Sequence, residues 1–126
     1  MKSRSILCLG TLIMALGVGL GAFGAHALRA MVDASALATW HTAVLYQLLH
    51  GLGLLLIAAL GSQLNTAWQS RSAILMLAGV LIFSGSLYIL VLSGVKWLGA
   101  ITPIGGVAMI LAWLFLAIAA LRGKDN

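Results

Sequence analysis

Four long apolar runs, separated by short polar stretches, limit this chain more than any other feature. They cover residues 6–25, 39–60, 72–93 and 103–121. Each is about 20 residues long, the length an α-helix rising ~1.5 Å per residue needs to cross a hydrocarbon core about 30 Å thick. None shows the strict polar–apolar alternation of a membrane-spanning strand. Little of the 126 residues is left for a separate soluble domain. The expectation is one all-α domain over residues 1–126, an integral membrane bundle of four transmembrane helices.

Composition agrees. Charged residues make up 7% of the chain, against about a quarter in soluble domains. A net charge of +5 would suggest nucleic acid as a partner of a soluble protein. Here the seven Lys and Arg sit at the ends of the apolar runs, without the clustering that phosphate binding requires. They read as topology signals. Lys2, Arg4, Arg71, Arg122 and Lys124 fall on one side of a four-span chain, and Arg29 and Lys96, with Asp33, on the other. The positive-inside rule then puts both termini in the cytoplasm. Trp68 near the inner end, and Trp40 and Trp97 near the outer ends, suit interfacial anchoring. The first run, with Lys2 and Arg4 before it and Ala25-His26-Ala27 after it, imitates a signal peptide. It is longer than the usual ~7–15-residue core of one and is read as a retained helix. Cys8 is the single cysteine, so no intrachain disulfide is expected.

Membrane helices gain little by hiding Leu from lipid and associate through close backbone approach and interhelical hydrogen bonds. At about 100° per residue, Gly10, Gly17, Gly21 and Gly24 share one stripe of the first helix. That stripe is expected to face a neighbouring helix, a homodimer seam being the alternative. On the third helix, Ser84 and Tyr88 share one face, and Gly79, Ser86 and Ser93 another. Thr102-Pro103 is expected to open the fourth helix, with Thr as N-cap and Pro in the first turn. Gly105 and Gly106 there allow a close neighbour.

On the second helix, Thr39, Ala43, Tyr46 and His50 fall within about 60° of one another, flanked by Thr42 and Gln47. Leu45, Leu48, Leu52 and Leu55 make the expected lipid face, and His41 points toward it. His50 lies about 16 Å along the helix from its outer end, and an ionisable group at that depth is a functional-site hypothesis by default. His26, Tyr46, Gln47, His50, Ser84, Tyr88 and Thr102 all fall from the midplane outward. They are expected to form a polar cluster or a shallow cavity open to the outer face, with His50 neutral and bonded to Ser84, Tyr88 or Thr102. The inner half holds almost no strong polar group beyond the terminal residues.

Catalytic chemistry is not legible. No Asp or Glu lies in a span to carry a proton, and no Ser has a carboxylate–His partner. The His spacing follows no zinc pattern. His26 and His50 differ too much in depth for bis-His haem within one chain, though two His50 across a dimer would fit. No cofactor or metal is expected.

Several strings occur together and in order: Gly21-Ala-Phe-Gly-Ala-His-Ala-Leu28, Trp40 with Thr42-Ala-Val-Leu-Tyr-Gln-Leu-Leu-His50, Phe83-Ser-Gly-Ser-Leu-Tyr88, and Thr102-Pro-Ile-Gly-Gly106. In these the chain resembles the bacterial inner-membrane family called "domain of unknown function 423", related to a small eukaryotic family of transmembrane proteins. The resemblance implies a four-helix protein of the bacterial inner membrane and assigns no activity. Two functional readings follow. One is a non-enzymatic protein packing in the lipid bilayer against itself or a membrane-protein partner. The other is a binder or transporter of a small amphipathic ligand, a quinone or lipid headgroup, around His50.

Overall fold

A computed structural model describes residues 1–125. Its long helices are α1 (Ser3–Ala25), α2 (Ala34–Ala59), α3 (Thr66–Ser93) and α4 (Thr102–Arg122). Single 3₁₀ turns at Leu28–Ala30, Gly61–Gln63 and Lys96–Ala100 lie in the connections. All four helices are long and apolar enough to cross a membrane.

Two polar side chains decide where α2 and α3 begin. Asp33 Oδ1 accepts from the Ala36 amide at 2.8 Å, and Asn65 Oδ1 from the Trp68 amide at 3.2 Å. Each satisfies an amide that a helix start leaves unpaired. Both helices therefore start before the apolar runs at 39 and 72, with polar first turns that hydropathy does not register. α3 stops at Gly94, whose φ of 73° lies in the left-handed region that a helix C-cap favours. α4 departs from expectation. Ile101, not Thr102, holds the cap position, and no side chain caps the helix. The Thr102 hydroxyl instead lies 2.6 Å from that of Ser86, so it bonds across to α3.

The chain packs as two hairpins, α1–α2 and α3–α4, joined along α2 and α3. Glycines set both hairpins. A Cβ on Gly105 would sit 2.5 Å from Phe83 N and 2.8 Å from Gly79 O. At that crossing, backbone meets backbone and any side chain would wedge the helices apart. On α1, a Cβ at Gly10, Gly17 or Gly24 would meet Leu55, Leu48 or Trp40 of α2 at 2.9, 2.7 and 2.6 Å. At Gly21 it would meet Val44 at 3.3 Å. The stripe faces α2 of the same chain, not a second copy.

Ile6, Ile13, Leu54, Ile57, Met76, Val80 and Met109 fill the main core. A smaller cluster of Leu28, Trp40 and Val44 closes the end away from the termini. Leu12, Leu16, Leu45, Leu49, Leu52, Leu56, Ile74, Leu81, Ile89, Ile110 and Leu114 are exposed, as expected of a protein whose solvent is hydrocarbon. Two leucines of the expected lipid face are not on it: Leu48 and Leu55 are partly buried over the α1 glycines. Trp40 is also displaced from its expected interfacial role. It is 1% exposed, its indole donates to Leu20 O at 2.8 Å, and its ring packs against Phe23 and Tyr88. Trp97 is exposed.

At the terminal end, Asn65 Nδ2 donates to Asp125 Oδ1 at 2.6 Å, and the N-terminal ammonium donates to Ser70 Oγ at 2.6 Å. The guanidinium groups of Arg71 and Arg122 lie 4.7 and 5.6 Å from the Trp68 ring centre, a cation–π arrangement suited to an interface.

Candidate functional site

The residues expected to form one polar cluster form separate interhelical bonds instead. Gln47 ties three helices together. Its amide Nε2 donates to Ile13 O of α1 at 2.9 Å, and its Oε1 accepts from the Tyr88 hydroxyl of α3 at 2.5 Å. Ser84, one turn before Tyr88, donates to Ala43 O of α2 at 2.7 Å. Ser86 and Thr102 join α3 to α4. Both faces read on α3 are therefore in use, one toward α2 and one toward α4. Ser93 turns back on its own helix, donating to Ile89 O. His26 stands apart, exposed at the end of α1.

His50 is 7% exposed, but its partners are not Ser84, Tyr88 or Thr102. Nδ1 lies 2.8 Å from Tyr46 O, one turn back on the same helix, and Nε2 accepts from the Trp113 indole N–H of α4 at 3.0 Å. A carbonyl at one nitrogen and an N–H at the other assign the neutral tautomer with its proton on Nδ1. The two rings meet edge to face. The imidazole, with both nitrogens engaged, is part of a latch and has no lone pair left for a metal. Among the described residues, no three His, Cys, Asp or Glu side chains gather to hold an ion.

Trp113 is the residue that sequence reasoning missed. The available signal was its position near the middle of α4. An indole far from the interface must find an acceptor for its N–H or leave a donor unpaired in hydrocarbon. Gln69 and Ser72 were also missed as interhelical ties. Both are buried. Gln69 Nε2 donates to Ser3 Oγ and Ile57 O at 3.0 and 3.2 Å, and Ser72 donates to Ala112 O at 2.8 Å. Gln69 precedes the third apolar run and Ser72 opens it, so hydropathy placed them at a boundary.

Beside the latch lies a cavity of about 220 Å³ between α2 and α4, floored by Phe83 of α3 and lined by Tyr46, His50, Gly106, Met109, Ile110 and Trp113. The Tyr46 ring lies parallel to His50, centres 6.0 Å apart, and 4.5 Å from Phe83. Tyr46, Ile110 and Trp113 are 37, 62 and 40% exposed, so the cavity opens sideways toward lipid.

Comparison with known proteins settles what kind of chain carries this arrangement. The family described as protein of unknown function (DUF423) matches residues 20–106. The chain belongs to that family. The matched segment of this DUF423 chain contains Gln47, His50, Tyr46 and Phe83, and stops before Trp113. The UPF0382 membrane protein YwdK of Bacillus subtilis is 45% identical over 120 residues, covering 94% of this chain and 98% of its own. UPF0382 membrane proteins of Staphylococcus aureus and Staphylococcus epidermidis are 45% identical over 121 residues, covering 94% of this chain and 97% of theirs. No solved structure matches the chain.

Proposed function

We propose that this DUF423 protein is a non-catalytic, multi-pass protein of the bacterial inner membrane, with both termini cytoplasmic. In this reading its buried polar side chains hold four helices in one arrangement for packing against a membrane partner. One observation carries the reading: these polar side chains bond across helix boundaries, to one another or to backbone carbonyls of a neighbouring helix. Gln47 spans α1, α2 and α3; Ser84 joins α3 to α2; Ser86–Thr102 and Ser72 join α3 to α4; Trp113–His50 joins α4 to α2. A nucleophilic site pairs a hydroxyl or thiol with a base that a third group orients; here the Ser84 and Ser72 hydroxyls donate to helix carbonyls instead, and His50 is held between Tyr46 O and the Trp113 indole. The orientation is supported by the position of Lys2, Arg4, Arg71, Arg122 and Lys124 at the terminal end.

Thermal unfolding in mild detergent tests the reading. Gln47→Leu, Ser84→Ala and Ser72→Ala are each expected to lower the midpoint relative to the parent. Unchanged midpoints for all three would remove the latch role.

A further inference from the structure

Away from the membrane interfaces, the hydroxyls of the spans that do not join helices, such as those of Thr11, Thr39 and Thr42, bond to carbonyls of their own helix, with one exception. Among the described residues, the Tyr46 hydroxyl has no hydrogen-bond partner, although Thr39, Thr42, Gln47 and His50 on the same helix are all bonded. Tyr46 lies at the middle of α2 and is 37% exposed. Exposure at that depth means contact with hydrocarbon, which offers a hydroxyl nothing to bond, and an unpaired polar group there is costly. The same residue walls the lipid-open cavity between α2 and α4, together with the rings of His50, Phe83 and Trp113.

We propose that this cavity binds the head ring of an isoprenoid quinone, with the Tyr46 hydroxyl donating to a ring carbonyl. Four ring-bearing walls favour a flat guest that stacks over a flexible acyl chain. The unpaired group is a hydroxyl donor, so the guest must present an acceptor, and a quinone carbonyl accepts without bringing a donor of its own. His50 is saturated by Tyr46 O and the Trp113 N–H, and Trp113 by His50, so the guest has one polar anchor. The cavity, at about 220 Å³, falls below the roughly 300–1,000 Å³ typical of sites for drug-sized molecules. It takes one substituted ring and leaves the polyprenyl tail in the bilayer. Tyr46, Ile110 and Trp113, the exposed residues of its lining, leave it within reach of a molecule dissolved in lipid. The inference goes beyond the latch reading, because neither the Tyr46 side chain nor Gly106 belongs to that network.

Gly106 supplies a selective test. A Cβ there would meet only Phe83 Cδ2, at 3.9 Å, so Gly106→Leu fills the cavity without displacing backbone. Ile110→Phe, at a position 62% exposed, adds bulk on the lipid side of the cavity without adding an indole and provides a second block should the first destabilise the protein. The measurement is quenching of tryptophan fluorescence by ubiquinone-2 in phosphatidylcholine nanodiscs, with Trp113 as the indole in the cavity wall. Farnesol serves as the competitor that has the tail without the ring, and each variant's unfolding midpoint is taken alongside. The expected result is saturable quenching by the parent, lost in Gly106→Leu and Ile110→Phe, weakened about fivefold in Tyr46→Phe by loss of one hydrogen bond, and unaffected by farnesol. Linear quenching that is the same in every variant indicates partitioning of quinone into lipid only and overturns the proposal. So does saturation that survives both blocks, full affinity in Tyr46→Phe, or equal competition by farnesol. None of these substitutions touches Gln47, Ser84 or Ser72, so failure here is separable from failure of the latch reading.

Discussion

The Trp113 indole donates its proton to His50 Nε2 across 3.0 Å, and this single bond joins the last helix to the second. It gives an imidazole near mid-span an acceptor's role and leaves it nothing to donate except the Nδ1 proton held at Tyr46 O.

Trp113→Phe is expected to keep the ring contact and lose the bond, at about 1 kcal/mol of stability. The ¹⁵N spectrum reads it directly: the His50 Nε2 resonance should move toward that of a free, unbonded acceptor. His50→Gln, which can still offer an oxygen to the indole, should be milder than His50→Leu, which strands the indole N–H. A His50 resonance that does not respond to Trp113→Phe would contradict the bond.

The glycines of α1 divide into two kinds. Gly17 and Gly24 have no room for a Cβ, whereas Gly19 has nothing within 4 Å. Gly17→Leu and Gly24→Leu should lower the unfolding midpoint sharply in detergent. Gly19→Leu on the lipid side should match the parent or exceed it, since Gly is the poorer helix former by about 1 kcal/mol. Equal damage at all three positions would deny that the stripe is a contact surface.

Much of this arrangement was legible in the chain, and most of what was not has one cause. Run length locates the spans because bilayer thickness sets it. The stripe of Gly10, Gly17 and Gly24 is visible because helical periodicity fixes which residues share a face. Periodicity does not say which neighbour that face meets. Leu48 and Leu55 were therefore placed in lipid, when they in fact cover the small residues of α1. Partner choice among the polar residues was equally hidden. His50, Ser84, Tyr88 and Thr102 have matching depths, but which of them touch depends on the rotation of each helix about its axis, and that is set by contacts elsewhere, such as Gly79 against Gly105. The helix starts are a separate case: Asp33 and Asn65 mark them by residue type, ahead of the runs that hydropathy registers.

The Gln47–Tyr88 pair lends itself to a double-mutant cycle. Tyr88→Phe is expected to cost about 0.6 kcal/mol, the typical worth of a bond between membrane helices. After Gln47→Leu, the same change should cost close to nothing, because the acceptor is already gone. Additive losses would show that the two side chains act independently.

Topology can be checked with reporters fused to the C-terminus. A reporter active only in the cytoplasm should give signal, and one active only outside should stay silent. The mass of the intact protein should show that α1 is retained. Signal from the external reporter alone would reverse the orientation.

The two glycine-packed hairpins bear on the order in which the protein is built. α1 and α2 emerge from the ribosome first, and between them they already satisfy Trp40, through Leu20 O, and the Gln47 amide, through Ile13 O. Gln47 Oε1 must wait for Tyr88, and His50 Nε2 must wait for Trp113, near the end of synthesis. The nascent chain thus carries its open acceptors on the side of α2 that later helices cover, while its lipid side is already leucine. α3 meets a surface with two unmet acceptors and α4 one with His50 Nε2 still open, so each helix closes one more acceptor in the order in which it is translated.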